Sequence, residues 1–288
     1  MTEIACVVEA RDALGECCLW CPVTRRVWWL DIRRPCLQSY DPASKAHQVY
    51  PLPGRHVGCA ALRKSGGLVL ALDNGLKGFD PTTGKLSLLV HAEPDEPGNR
   101  YNDGRCDRRG RLWIGTMDID IRRASGSFYR ISSDRSVLRV FDGITVPNST
   151  AFAPDDRTLY FADTPRHVIW AFDFSLHAGT IGERRVFADL TARNGLPDGS
   201  CVDAEGFLWN AEYGGRRITR YAPDGRTDRT IELPVTNPTC CCFGGENLDT
   251  LYVTSAMPHS GPTPAALDGG LLALDVGVRG LPEAAFGG

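Results

Sequence analysis

An all-β fold of six four-stranded antiparallel blades, a six-bladed β-propeller, follows from three features of this 288-residue sequence. Helical periodicity is nearly absent. A short apolar, aromatic-rich strand entered from a turn recurs six times, each beginning about 41 to 49 residues after the last, which is the period of a four-stranded unit and not of a helical solenoid. Most recurrences are followed by a partner strand and a turn built on Asp-Pro or Asp-Gly, residues whose backbone preferences suit tight turns.

The recurring strands are "RRVWWLDI" from Arg25, "GGLVLALD" from Gly66, "GRLWIGTM" from Gly110, "RTLYFADT" from Arg157, "GFLWNAEY" from Gly206 and "DTLYVTSA" from Asp249. The partner strands and turns read "LQSYDPASK", "LKGFDPTTGK", "FYRISSDRS", "IWAFDFSLHAG" and "ITRYAPDGR". Radial packing around a channel is how such units hide their sheet edges. The early strand "IACVVEA" from Ile4 precedes the first full unit and has no partner nearby. It is expected to pair into the last blade, beside "DTLYVTSA" and "GGLLALDV", and so close the ring. No linker or low-complexity stretch interrupts the pattern, and residues 1–288 are read as one domain.

Composition narrows the partners. The chain is 42% hydrophobic and 23% charged, with 32 basic and 35 acidic side chains and a net charge of −3. Nucleic acid and anionic membranes call for a basic excess that is not there. No apolar run approaches the roughly 20 residues of a membrane helix, and the N-terminus lacks the basic-then-apolar order of a signal peptide. A cytoplasmic location is expected. Eleven cysteines is a high and odd number, whereas a secreted disulfide framework normally uses an even number in a much shorter chain, so reduced thiols acting as small apolar groups are expected. Cys18-Leu-Trp-Cys21 has no second pair at zinc-site spacing. Cys240-Cys241-Cys242 should alternate across a strand, so the three cannot share one metal. The six histidines include no H-x-x-x-H pair.

Four polar residues stand at the inner edge of the pattern. Glu16 lies in "LGECCLW", Asn102 in "RYNDG", Asn148 in "VPNSTAFAPD" and Asp198 in "GLPDGSCVDAEG". Each is placed ahead of an innermost-strand candidate at a similar distance from its second strand. Singly, each fits a solvated loop or a turn, since Asn-Asp-Gly and Pro-Asp-Gly are common turn formers. Jointly they are harder to dismiss. Equivalent positions of a radial fold converge on its axis, so the four are expected to meet. Alternation points Tyr101 away from its neighbours and into packing, and Asp103 and Gly104 are read as a turn.

At these residues the chain resembles the SMP-30/gluconolactonase/regucalcin-like family. The likeness runs through "LGECCLW", "NRYNDGRCDRRGRLWIGTM", "PNSTAFAPDDRTLYFADT", "GLPDGSCVDAEGFLWNAEYGG" and "PTCCCFGGENLDTLYVTSA". It implies a six-bladed propeller that binds a divalent metal and hydrolyses a sugar lactone, such as a xylono-, arabinono- or gluconolactone, to the aldonic acid. By position it implies metal ligands at Glu16, Asn148 and Asp198, with Asp198 also the catalytic base. It implies substrate contacts from Arg100 and Asn102 of the R-[FY]-N-D-G motif, and from an acidic residue at Asp118 or Asp120, of which Asp120 is taken. The family often has Asn-Gly-Leu where this chain has Asn148-Ser149-Thr150, and Gly-Pro where it has Cys17-Cys18.

Two carboxylates and an amide form an all-oxygen set that suits Ca²⁺, Mg²⁺ or Mn²⁺, although Zn²⁺ and Fe²⁺ also occur in such proteins. Three protein ligands leave positions for water and substrate. A monomer or weak homo-oligomer acting on a small molecule is expected. The competing reading is a calcium-binding regulatory or scaffold propeller without catalysis, which has no need of Arg100 and Asn102. Hydrolysis of an aryl ester or phosphotriester is a third.

Overall fold

The computed structural model describes residues 3–259 and 263–288. Its strands form six four-stranded antiparallel sheets, the blades of the expected propeller. The innermost strands are Gly15–Cys21, Val57–Leu62, Asn99–Cys106, Pro147–Phe152, Leu196–Val202 and Asn237–Gly244 for blades 1 to 6. Among the described residues the only helical element is a 3-10 turn at Thr164–Arg166.

Burial explains why the six aromatic-rich runs were so legible. They are the second strands, sandwiched between neighbouring blades on both faces, and Leu68–Leu72 and Leu112–Asp118 are buried throughout. A strand covered on both sides reads as an apolar run and not as an alternation. The outermost strands, such as Ala46–Pro51, are largely exposed. Aromatic rings fill the gaps between blades: Trp113 of blade 3 packs on Phe152 and Phe174 of blade 4, and Trp20 of blade 1 stacks on Tyr252 of blade 6.

The ring closes as expected. Ile4–Val8 pairs antiparallel with Leu271–Asp275 as the outer strand of blade 6, with Ile4 opposite Leu274 and Cys6 opposite Leu272. First and last segments of the chain thus share one sheet.

A device at the turn after the innermost strand was not anticipated. In "DRRGRLW" Asp107 accepts from Arg109 N and Arg111 N through one oxygen and from Trp113 Nε1 at 2.9 Å through the other. In "DAEGFLW" Asp203 does the same for Glu205 N, Phe207 N and Trp209 Nε1. One aspartate shapes the turn and satisfies a fully buried indole N–H of the next strand, which would otherwise be costly to leave unpaired.

The C-terminal segment crosses one end of the channel. Arg279 O accepts from Ala204 N in blade 5, Gly280 N donates to Leu248 O in blade 6, and buried Phe286 exchanges bonds with Leu62 and Lys64 in blade 2. Above it, Arg105 donates to Thr150 O, Ser200 O and Glu283 Oε2, the last at 2.6 Å. One guanidinium therefore ties blades 3, 4 and 5 to the C-terminal segment and forms a floor to the channel.

Candidate active site

All four polar residues sit inside the innermost strands, not ahead of them, because those strands begin earlier than the sequence suggests. Each of the six innermost strands carries a register irregularity at about the same height. Such bulges re-aim side chains. Glu16 and Asn148 are the last paired residues before the bulge, whereas Asn102 and Asp198 are the first residues within it. The four therefore occupy two registers, one residue apart. After Glu16 and Asn148 the backbone turns left-handed, at Cys17 (φ 54°) and Ser149 (φ 59°).

Asp103 and Gly104 are not a turn. Both lie within Asn99–Cys106, and the Asp103 carboxylate accepts from Thr150 N at 2.7 Å, linking blade 3 to blade 4. Gly199 is likewise a packing requirement, since a Cβ there would come within 2.7 Å of Cys240. Tyr101 is buried, as expected, with its hydroxyl accepting from Ala92 N.

The polar residues meet as two pairs. The carboxyl groups of Glu16 and Asp198, from blades 1 and 5, lie close enough to perturb each other's ionisation. The second pair belongs to a directional chain. Arg100 Nη1 donates to Asn102 Oδ1 at 2.7 Å, and Asn102 Nδ2 donates to Asn148 Oδ1 at 3.0 Å. Asn148 Nδ2 then donates to Thr164 Oγ1 at 2.8 Å, and Thr164 Oγ1 donates to Pro197 O at 2.9 Å, next to Asp198. Because the Thr164 proton is committed to Pro197 O, its oxygen can only accept from Asn148. That fixes the orientation of the Asn148 amide and keeps its oxygen as a ligand donor.

Asn102 also donates to Pro147 O at 2.9 Å, so both its N–H groups are engaged within the protein. Its role in this geometry is to hold Asn148 and Arg100. Asp120 is not brought to the cluster: it is exposed, 3.8 Å from Arg122. Asp118 is tied to its own loop through Arg122 N and Arg123 Nη2.

Asp198 has a second set of partners that the sequence reading missed. Its backbone oxygen accepts from Ser149 Oγ at 2.6 Å and Asn210 Nδ2 at 2.9 Å. Ser149 adopts the left-handed conformation that glycine tolerates best, and this bond across the blades ties its side chain down. Asn210 was legible in principle, as the one amide within the six apolar second-strand runs.

Burial is the main cause of perturbed ionisation here. It raises Glu16 to about 8, with Asp103 adding repulsion and Cys17 N–H, Asp198 and Arg100 opposing. It raises Asp198 well above the usual carboxylate range, reinforced by Glu16 and Asp103. Burial also lowers Arg100 to about 10, against the stabilising pull of Glu16. Asp198 Oδ1 is buried without any hydrogen-bond partner in the protein. Two close carboxylates, Glu16 half-buried and Asp198 buried with an orphaned oxygen, need either a shared proton or a cation. Among the described residues no group of three or more His, Cys, Asp or Glu gathers as a metal cluster. The set is two carboxylates and an amide, with no thiolate or imidazole, so the residues fit a hard divalent cation. Beside Arg100, between blades 2 and 3, lies a cavity of about 210 Å³ lined by Arg55, Asp73, His91, Asn99 and Tyr101.

Residues 14–257 match the family model described as the SMP-30/Gluconolactonase/LRE-like region. The chain belongs to this family. It is 36% identical to the L-arabinolactonase of Azospirillum brasilense, covering 98% of this chain and 95% of that protein. It is 33% identical to the 6-deoxy-6-sulfogluconolactonase of Pseudomonas putida, covering 99% of both. The crystal structure of a calcium-binding protein, regucalcin, from Agrobacterium tumefaciens superposes with a TM-score of 0.94 at 34% identity, covering 99% of this chain and 97% of that one. Family membership and similarity span the blades that supply Glu16, Asn102, Asn148 and Asp198.

Proposed function

We propose that this chain is a divalent-metal-dependent sugar lactonase, a hydrolase of carboxylic esters. The observation that carries the reading is the close pair of half-buried Glu16 and buried Asp198, with Asp198 Oδ1 unpartnered, beside an amide oxygen of fixed orientation. Relatives of similar length named as lactonases support the substrate class.

Glu16, Asn148 Oδ1 and Asp198 would hold the cation, which when bound polarises a carbonyl oxygen and lowers the cost of charge on it. The protein groups divide the remaining work. Asp198, with an oxygen free of protein partners, takes a proton from the attacking water and later returns one to the ring oxygen that leaves. Arg100 reaches the substrate from the cavity side and binds hydroxyl or carbonyl oxygens by charge-assisted hydrogen bonds. Asn102 holds Arg100 and Asn148 in register, and Ser149 and Asn210 hold the backbone of Asp198. The cavity beside Arg100, with Arg55, Asp73 and His91 in its wall, accommodates the hydroxylated part of the lactone beyond the ester. Asp120 would reach a substrate only if its exposed loop folds inward, and binding of sugar hydroxyls by Asp120 stays part of the proposal in that form.

The reading is tested by supplying a panel of pentono- and hexonolactones with and without chelator and following acid release in weak buffer. Turnover that chelator abolishes and added Ca²⁺, Mn²⁺ or Mg²⁺ restores is expected. Metal binding without turnover on any lactone would favour the second reading, a calcium-binding propeller like the Agrobacterium relative. Arg100→Ala is expected to lower kcat/KM about 10- to 100-fold, mostly through KM, as removal of a charged hydrogen-bonding group implies; steady-state kinetics on the best lactone checks this. No helix among the described residues is long and apolar enough to cross a membrane. We place the enzyme in the cytoplasm, acting on a free small molecule.

A further inference from the structure

The cysteines are distributed over the blade interfaces, and the lactonase reading makes no use of them. Cys242 packs with blade 1 and Cys241 with blade 5, opposite faces of the strand, while Cys240 lies close to Gly199 of blade 5. Three sulfur pairs result, each joining neighbouring blades: Cys18–Cys242 at 3.1 Å, Cys201–Cys241 at 3.5 Å and Cys17–Cys59 at 3.9 Å. All eleven thiols are free.

The three pairs are not equivalent. Cys17 Sγ is engaged by Ala60, accepting from its N–H at 3.1 Å and donating to its oxygen at 3.2 Å. Cys241 donates to Trp209 O at 3.6 Å. Cys18 and Cys242 have each other as principal partner, apart from a long contact of Cys18 with Tyr252 O at 4.0 Å. They also join blade 1 to blade 6, the sheet that the strands Ile4–Val8 and Leu271–Asp275 complete by non-covalent pairing. Cys242 lines an open cavity at the channel end away from Glu16, together with Arg105, Arg108, Cys201 and Glu283. Cys242 is itself only 2% exposed, and this cavity is the side from which a small neutral oxidant would approach it.

We propose that Cys18 and Cys242 form an oxidative latch: a peroxide converts the pair to a disulfide that covalently joins the first and last blades. The Cys242 sulfur attacks one oxygen of hydrogen peroxide, giving a sulfenic acid and one water. The Cys18 sulfur then attacks the sulfenic sulfur and expels a second water. Two thiols and one peroxide become one disulfide and two waters, with no other reductant or oxidant consumed. Reaching a bond of about 2.05 Å asks the two sulfurs to close by about 1 Å. The link would close a loop of more than 200 residues, the situation in which a cross-link restricts the unfolded chain most.

The test uses the full chain, freed of reductant, treated with excess hydrogen peroxide and then alkylated under denaturing conditions. The expected result is a fall from eleven alkylatable thiols to nine and a cross-linked pair of peptides carrying residues 18 and 242. The thermal midpoint rises by about 5–10 °C and returns on adding dithiothreitol. Cys18→Ala and Cys242→Ala each abolish the rise, and Cys201→Ala keeps it. Retention of all eleven thiols overturns the proposal, as does a cross-link mapping to another pair. So does oxidation to sulfinic or sulfonic acid without a cross-link. Peptide mapping of the wild-type chain decides the matter even if a variant fails to fold.

Discussion

Asp198→Asn is expected to reduce lactone turnover by about 10³-fold or more, the range for losing a general base, with added loss if the cation is also held less well. The fold should survive. Asp198 Oδ1 satisfies nothing in the protein, and what anchors the strand is the Asp198 backbone oxygen, held by Ser149 and Asn210. The replacement amide can donate to Glu16, so repulsion becomes a hydrogen bond. In chelator, the variant should therefore unfold at a higher urea concentration than the wild-type chain, while its activity is lost. Near-native turnover of Asp198→Asn in metal-replete buffer would remove Asp198 from the chemistry. A variant that is inactive because it is unfolded would show in its circular dichroism.

The second large effect is on stability against pH. Burial raises Glu16 from its ordinary value of 4.5 to about 8, and raises Asp198 in the same direction. A carboxyl that binds its proton more tightly folded than unfolded stabilises the fold below its unfolded pKa. That contribution is lost as pH rises through the folded value. The metal-free chain should thus lose stability between about pH 4.5 and pH 8, opposite to the usual behaviour of a salt-bridged carboxylate. The full Glu16 shift would correspond to about 5 kcal/mol. Glu16 is only half-buried, and channel water screens it, so a loss of about 2 kcal/mol is expected. Urea unfolding in chelator across this range measures it, and a saturating divalent cation should flatten the dependence. Metal-free stability that rises over the same interval would mean that the two carboxylates do not confront each other.

Most of the fold could be read from the chain because its physics is local and repeated. Second strands buried on both faces leave uninterrupted apolar runs such as "LVLAL" and "VWWL", and closure by Ile4–Val8 followed from a strand without a neighbour. The arrangement of the candidate site follows from the same symmetry, which carries Glu16 and Asp198, four blades apart in the chain, close enough to perturb each other's ionisation. What stayed hidden depends on contacts between blades. Bulges shift Glu16 and Asn148 one register from Asn102 and Asp198, and nothing in "LGECC" or "VPNST" announces an extra residue. Asp103 looks like a turn former until Thr150 N of the next blade is placed against it. Asn102 looks like a substrate donor until Pro147 O and Asn148 Oδ1 take both its N–H groups. Asp120 rested on position in the resemblance alone, and in the fold it is exposed to solvent, 3.8 Å from Arg122. The C-terminal segment that carries Glu283 to Arg105 has no strand periodicity, so only the folded ring reveals it as the channel floor.

The reading as a whole requires that Glu16, Asn148 and Asp198 serve one cation. Metal content by elemental analysis, after dialysis of the wild-type chain against Ca²⁺ or Mn²⁺ and gel filtration, addresses this most directly when paired with Glu16→Gln and Asp198→Asn. One equivalent in the wild-type chain, almost none in either variant and turnover that tracks the metal content is the predicted result. Undiminished lactone turnover by a wild-type chain stripped of metal, or an equal metal content in all three proteins, would contradict it.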